Sequence, residues 1–196
     1  LSSTDTGVLL TKLREIIAPT GLAIRESGQH VLTHVLSNYV IQTQIKSFLI
    51  TGALLWIFFI LYFGFKLGTI GLLPNLIPMA ITLGSISWLG IPFDFATVLI
   101  ASIALGLCVD DSIHFLHYYK HCKDEGVDLP IRRTMQAIGK PLWISSLLLS
   151  VGFGLFISSN LVILVKLGAF TVLAIVLAYL ADMLMLPAAL KLWDRD

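Results

Sequence analysis

Two adjacent carboxylates, Asp110 and Asp111, lie in Gly106-Leu107-Cys108-Val109-Asp110-Asp111-Ser112-Ile113-His114-Phe115, directly after a charge-free run from Phe95 to Val109. Acids in apolar surroundings suit one chemistry above others, the uptake and release of protons. If a helix starts at Phe95, Asp110 lies about 22 Å along it at 1.5 Å per residue. That is roughly two-thirds of the way across a hydrocarbon core of about 30 Å. A charge near the bilayer centre costs on the order of 2.5–3.5 kcal/mol on insertion scales, so neighbouring acids must be protonated or paired. Residues three and four apart share a helical face, which places Ser102, Gly106, Asp110, His114 and His117 on one stripe. Asp111 points about 100° away and still shares a face with His114 and Tyr118. On this reading Asp110 and Asp111 form a proton relay. The bland reading makes them the cytoplasmic end of a short span. Ile113, Phe115 and Leu116 continue the apolar helix past the acids and favour the relay. For His114 and His117 the weights reverse, because interfacial histidines are often idle, and His114 stays only as an accessory candidate.

A further acid, Asp182, sits in the apolar segment Tyr179-Leu180-Ala181-Asp182-Met183-Leu184, shortly before Pro187. Capping or pairing with a neighbouring helix weighs as much for it as a place on a proton pathway. Lys166, near the other end of the same segment, can snorkel to water. Asp94 reads as the N-cap of the helix entering at Phe95. Cys108 and Cys122 would be about 21 Å apart on one helix, too far for a disulfide, and read as inert small residues. No catalytic residue, metal or cofactor is expected, only protons as the coupling ion. The sequence holds no phosphate-binding loop of the form GxxxxGK[ST], so the chain carries no ATPase of its own.

The elements that must position these groups follow from hydropathy. Apolar residues make up 57% of the 196-residue chain and charged residues 13%, with a mean hydropathy of +0.90. A soluble domain carries roughly twice that charge. Five charge-poor runs read as spanning helices over 47–65, 68–89, 95–119, 141–158 and 162–187, each about long enough to cross a bilayer. Pro74 and Pro78 should kink the second, which membrane bundles tolerate when neighbours satisfy the freed carbonyls. Gly106 reads as a helix-packing position, and Pro141 as the first residue of the fourth span, where a missing N–H costs nothing. Residues 1–46 are mixed in character. A stripe of Val8, Leu9, Leu10, Leu13, Ile16 and Ile17 suggests an amphipathic helix, Leu22 to Arg25 a short strand, and Val31 to Tyr39 a second helical stripe. Too little core is present for an independent domain, so 1–46 reads as the remnant of an extracytoplasmic α/β domain. No signal peptide begins the chain, which reads as a fragment or a processed product.

Orientation comes from Lys and Arg near the span ends. Lys66, Lys120, Lys123, Arg132, Arg133, Lys140, Lys191 and Arg195 collect on one side, against Lys46 and Lys166 on the other. The loop 120–140 and the C-terminus are then cytoplasmic, with 1–46 outside. In that loop Ile131, Met135 and Ile138 oppose Arg132, Arg133 and Gln136, as in a short helix lying on the inner membrane surface. The net charge of +1 gives no basic patch for nucleic acid. The expected fold is therefore an all-α membrane bundle of five helices, 47–196, in a cell membrane.

The motifs resemble a known family. Gly90-Ile-Pro-Phe-Asp-Phe-Ala-Thr97 followed by Ile100 to Phe115 is similar to the resistance-nodulation-division (RND) superfamily, and most to exporters allied to the large mycobacterial membrane proteins (MMPL). Pro74-Asn-Leu-Ile-Pro78 resembles the family's proline-bearing helix, Gln44-Ile-Lys-Ser47 its junction between periplasmic domain and span, and Ala181 to Leu190 its closing helix. Members have two similar halves, each with one span, a periplasmic domain and five further spans. The resemblance implies the C-terminal half, a relay acid at Asp110, and the missing N-terminal half as partner. It also implies a lipid or other hydrophobic substrate, with drugs as another class. Asp111 stands where some relatives carry tyrosine. A second copy of the chain stands among the candidate partners, beside the lipid bilayer itself.

Three classes of function compete on this reading. The first is proton-driven export. The second is a sensing or scaffold module like the sterol-sensing domains, which share the five-helix unit and should not need a titrating acid. An intramembrane aspartyl protease, with Asp110 and Asp182 as its acids, is the weakest, and the chain is read as no enzyme.

Overall fold

The computed structural model describes residues 29–91 and 95–193, together with two single positions, Lys12 and Ile16. The strand expected at Leu22 to Arg25 and the Asp94 cap lie outside these residues, as does all but Ile16 of the first amphipathic stripe. The chain divides into two compact units between Ser47 and Phe48. The second unit carries the bundle.

The described residues form helices and no strand. Helix α1 runs Gln29–Phe63, α2 Phe65–Trp88, α3 Phe95–Asp124 and α4 Pro130–Gly154, which a tighter 3-10 turn extends over Leu155–Ser158. Helix α5 runs Val162–Leu180, passes through a π turn at Ala181–Met185 and continues as α6, Leu186–Trp193. Five of these stretches are long and apolar enough to cross a membrane: Gln42–Phe63, Phe65–Trp88, Leu99–Asp124, Pro130–Ser158 and Val162–Leu192. The chain is a multi-pass membrane protein.

The stripe from Val31 to Tyr39 leads without a break into the first span as α1. The expected surface helix around Ile131 to Ile138 and the fourth span are likewise one continuous α4, with Pro141 inside it rather than at its start. Pro130 takes the first position instead, where a proline loses no bond the helix would have made. The reversal before it is short. Gly126 adopts φ 69° and Leu129 φ 54°, and the Arg133 N–H returns to the Leu129 carbonyl at 3.1 Å. Pro141 leaves one carbonyl of the preceding turn without its usual donor, a loss that bundled membrane helices accommodate.

Helix α3 is the centre. Half of its spanning window is buried, against 6% for α1 and 11% for α4. Its inward face presents Ala104, Leu105, Cys108, Val109, Ser112, Phe115, Leu116, Tyr119 and Cys122. Phe59 and Phe63 of α1, Met79 of α2, Ala174 of α5 and Leu186 and Leu190 of α6 pack into the same core. In lipid no hydrophobic force drives helices together, so close packing must, and small residues permit it. Gly68 is such a point: a Cβ there would stand 2.6 Å from the Phe59 carbonyl oxygen. Gly168 is another, with the Phe153 carbonyl oxygen equally close. The outer faces of α1 and α4 carry Leu54, Leu61, Leu148 and Val151 exposed, as lipid contact requires.

Candidate functional site

Asp110 and His114 lie on the face of α3 that this chain leaves uncovered. Their side chains are 72% and 65% exposed, and His114 Nε2 stands 3.7 Å from Asp110 Oδ1. Gly106 is also exposed, with nothing within 4 Å of where its Cβ would be. His117, one turn on, meets Tyr62 of α1, its Nδ1 lying 3.1 Å from the phenolic oxygen. Lys120 donates to the Tyr62 carbonyl at 3.1 Å. The stripe of Gly106, Asp110, His114 and His117 therefore points out of the five-helix bundle. The reason is geometric: the face about half a turn away is the more densely apolar, and α3 buries that one. Asp111 is half-buried between the two faces.

Inside the bundle the structure assembles a different polar group. Asn75, Ser112 and Asp182 are each 1% exposed or less and come from α2, α3 and the π turn. Ser112 Oγ donates to Asp182 Oδ1 at 2.5 Å. Asn75 Nδ2 donates to Ser112 Oγ at 3.0 Å and to the Gly71 carbonyl at 2.9 Å. Asn75 is flanked by the buried Pro74 and Pro78, both of which interrupt the α2 ladder as a proline must. Its amide braces this interrupted turn and reaches across to α3 at once.

The π turn that carries Asp182 has its own cause. Pro187 has no N–H to offer the Met183 carbonyl, and its ring would crowd that carbonyl in a regular helix. The chain widens instead, and the Leu186 N–H bonds to Ala181 O, five residues back. Such single-turn widenings are frequent at functional positions. Two oxygens of the cluster, Asn75 Oδ1 and Asp182 Oδ2, are buried without a partner, as are the hydroxyls of Thr82, Ser146 and Thr171. Among the described residues no three His, Cys, Asp or Glu side chains come together as metal ligands would.

Asp182 was thus visible in the sequence as an isolated acid, whereas Asn75 and Ser112 were not singled out. One signal could have found Ser112: positions 104, 108, 112 and 115 form an otherwise apolar helical stripe that it alone interrupts with a hydroxyl.

A spanning bundle with a buried carboxyl cluster defines a polytopic membrane domain. The family profile described as Patched SSD matches residues 61–192, and the chain belongs to that family, a sterol-sensing domain related to the RND superfamily. A protein of Methanocaldococcus jannaschii, described no further than as a membrane protein, is 29% identical over 189 residues. The match covers 94% of this chain and 48% of that protein, so the chain spans about half the length of the relative. No solved structure matches the chain.

Proposed function

We propose that the chain is the second half of an RND-type exporter, close to the MMPL group, that uses the proton-motive force to move lipids or other amphiphilic molecules across the cytoplasmic membrane. The observation that carries this reading is the position of Asp110 and Asp111. They sit deep along a spanning helix, and Asp110 lies on the one face of α3 that its own bundle leaves open. A carboxylate turned toward acyl chains is too costly to persist, so another part of the transporter covers that face. A relative about twice as long supports a second half as the cover. Gly106, on the same face, lets that partner helix approach closely. Protonation removes the charge from the contact and lets the halves shift, which couples the proton to transport. Asp111, half-buried, tunes the pair.

The test is efflux of a fluorescent lipid from proteoliposomes holding the whole transporter, with and without an imposed pH gradient. Gradient-dependent efflux supports export. Efflux indifferent to the gradient refutes it and favours the second reading, a sterol-sensing-like module without transport, to which the family description points. Asp111→Asn is expected to slow gradient-driven efflux only a few-fold, since Asp110 keeps its proton site; complete loss would make Asp111 the principal carrier.

The Lys and Arg asymmetry supports a topology with 1–46 outside and the loop after α3 in the cytoplasm. Cysteines placed at positions 92 and 126 test it. An impermeant thiol reagent added outside should label the first and spare the second, and equal labelling would overturn the topology.

A further inference from the structure

We propose that Asp182 is a second proton-binding site, complete within this chain, and that Ser112 and Asn75 transmit its occupancy to the proline-interrupted turn of α2. The hydrogen-bond inventory leads there. Asn75 Nδ2 spends its two hydrogens on Gly71 O and Ser112 Oγ, and Ser112 spends its one on Asp182 Oδ1. Every donor is then used, while two buried acceptors, Asp182 Oδ2 and Asn75 Oδ1, remain without a partner. The cluster is short of hydrogens at both ends. Water-excluded acceptors left in this way are costly, and a buried carboxylate whose only bond is to a neutral hydroxyl is costlier still.

The titratable groups facing Asp182 do not relieve it. From α3 they are Asp111 and the Cys108 thiol, neither of which brings positive charge. Lys66 is the one titratable residue of α2 and sits in its first turn, about nine residues from Asn75, and Lys191 of α6 is exposed. From α4, Gly139 approaches Met183 in the π turn, and the adjoining Lys140 is exposed. Tyr179 of α5 packs on Trp143 instead. A proton is the remaining way to neutralise the site.

The proton balance is simple. One proton arrives at Asp182, which becomes a neutral acid and donates to Ser112 Oγ. Ser112, no longer needed as a donor to Asp182, turns its hydroxyl toward Asn75, and the Asn75 amide rotates to offer Oδ1. No covalent bond between heavy atoms changes. The rotation withdraws Nδ2 from the Gly71 carbonyl and so releases the brace across Pro74. Proton occupancy in the π turn thereby loosens α2. Nothing in this depends on export: a sensing module built on the same cluster would carry the same proton.

Infrared difference spectroscopy of the protein in lipid bilayers, titrated with acid and base, tests the site directly. Among the carboxylic C=O bands that grow in acid and fade in base, one component is expected to be missing from Asp182→Asn, retained in Asp110→Asn and Asp111→Asn, and shifted in frequency in Ser112→Ala. Amide hydrogen exchange over residues 74–79, corrected for its intrinsic pH dependence, tests transmission. Acidification should speed it about three- to tenfold, what one lost hydrogen bond is worth, in the native chain but not in Ser112→Ala. Spectra of the native chain and Asp182→Asn that titrate identically overturn the site; a pH response of α2 that persists in Ser112→Ala overturns the transmission. Efflux plays no part in these readouts, so failure of the export reading and failure of this one are separable.

Discussion

Asp110→Asn is expected to reduce gradient-driven efflux to the level of empty liposomes while leaving expression and folding intact. The amide has nearly the shape of the acid but cannot carry a proton, and it is cheaper to hold in the membrane. Asp110 is 72% exposed on its own bundle, so the substitution removes no contact from this domain's core. Within the domain it loses the pairing with His114 on the same helix, and exposed pairs of that spacing are worth about 0.5 kcal/mol at most. The measurement is efflux of a lipid probe under an imposed pH gradient, normalised to protein incorporated. Undiminished gradient-driven efflux by this variant would end the relay assignment and leave the sensing module as the better reading. His114→Gln serves as the companion, and since the histidine is an accessory at most, efflux should fall less than with Asp110→Asn.

Gly168→Leu should have the largest effect on folding. A Cβ at Gly168 would lie 2.6 Å from the Phe153 carbonyl oxygen, 3.0 Å from Phe156 Cβ and 3.2 Å from Ile157 Cγ1. The nearest of these atoms is backbone and cannot swing aside, so α5 must separate from the end of α4. Overpacking of this kind typically costs about 1–3 kcal/mol, sometimes more, and here it opens a contact that positions Thr171 and Ala174 in the core. The expected outcome is a clear drop in the melting temperature of the detergent-solubilised protein and in membrane yield. Gly106→Leu is the matched control, because nothing lies within 4 Å of its Cβ. It should leave the melting temperature of this domain unchanged, yet impair efflux by the proposed transporter if a partner helix packs on that face. Equal stability losses at Gly168 and Gly106 would contradict the packing described here.

Hydropathy by itself settled that the chain crosses a membrane with five helices, because apolar runs of that length have no other stable place. It also marked the acids, since a carboxylate amid such runs stands out without any knowledge of packing. Helix boundaries were less legible. Pro141 suggested a helix start, but whether a proline begins a helix or is tolerated inside one depends on neighbours that satisfy the freed carbonyl, and Pro130 competed for the same role. The facing of α3 could not be read at all. In water the buried side of a helix is the apolar side, whereas in a membrane a polar stripe such as the one through Asp110 must avoid lipid but can face either its own bundle or another part of the protein. The stripe through Asp110 was therefore as good a candidate for the interior as the stripe through Ser112, and only the fit of Phe59, Ala174 and Leu186 around α3 turned Ser112 inward. Ser112 pairs with Asn75 of α2 and, through the π turn before Pro187, with Asp182, 70 residues away. That pairing is a property of three helices meeting, which no local pattern of residues encodes.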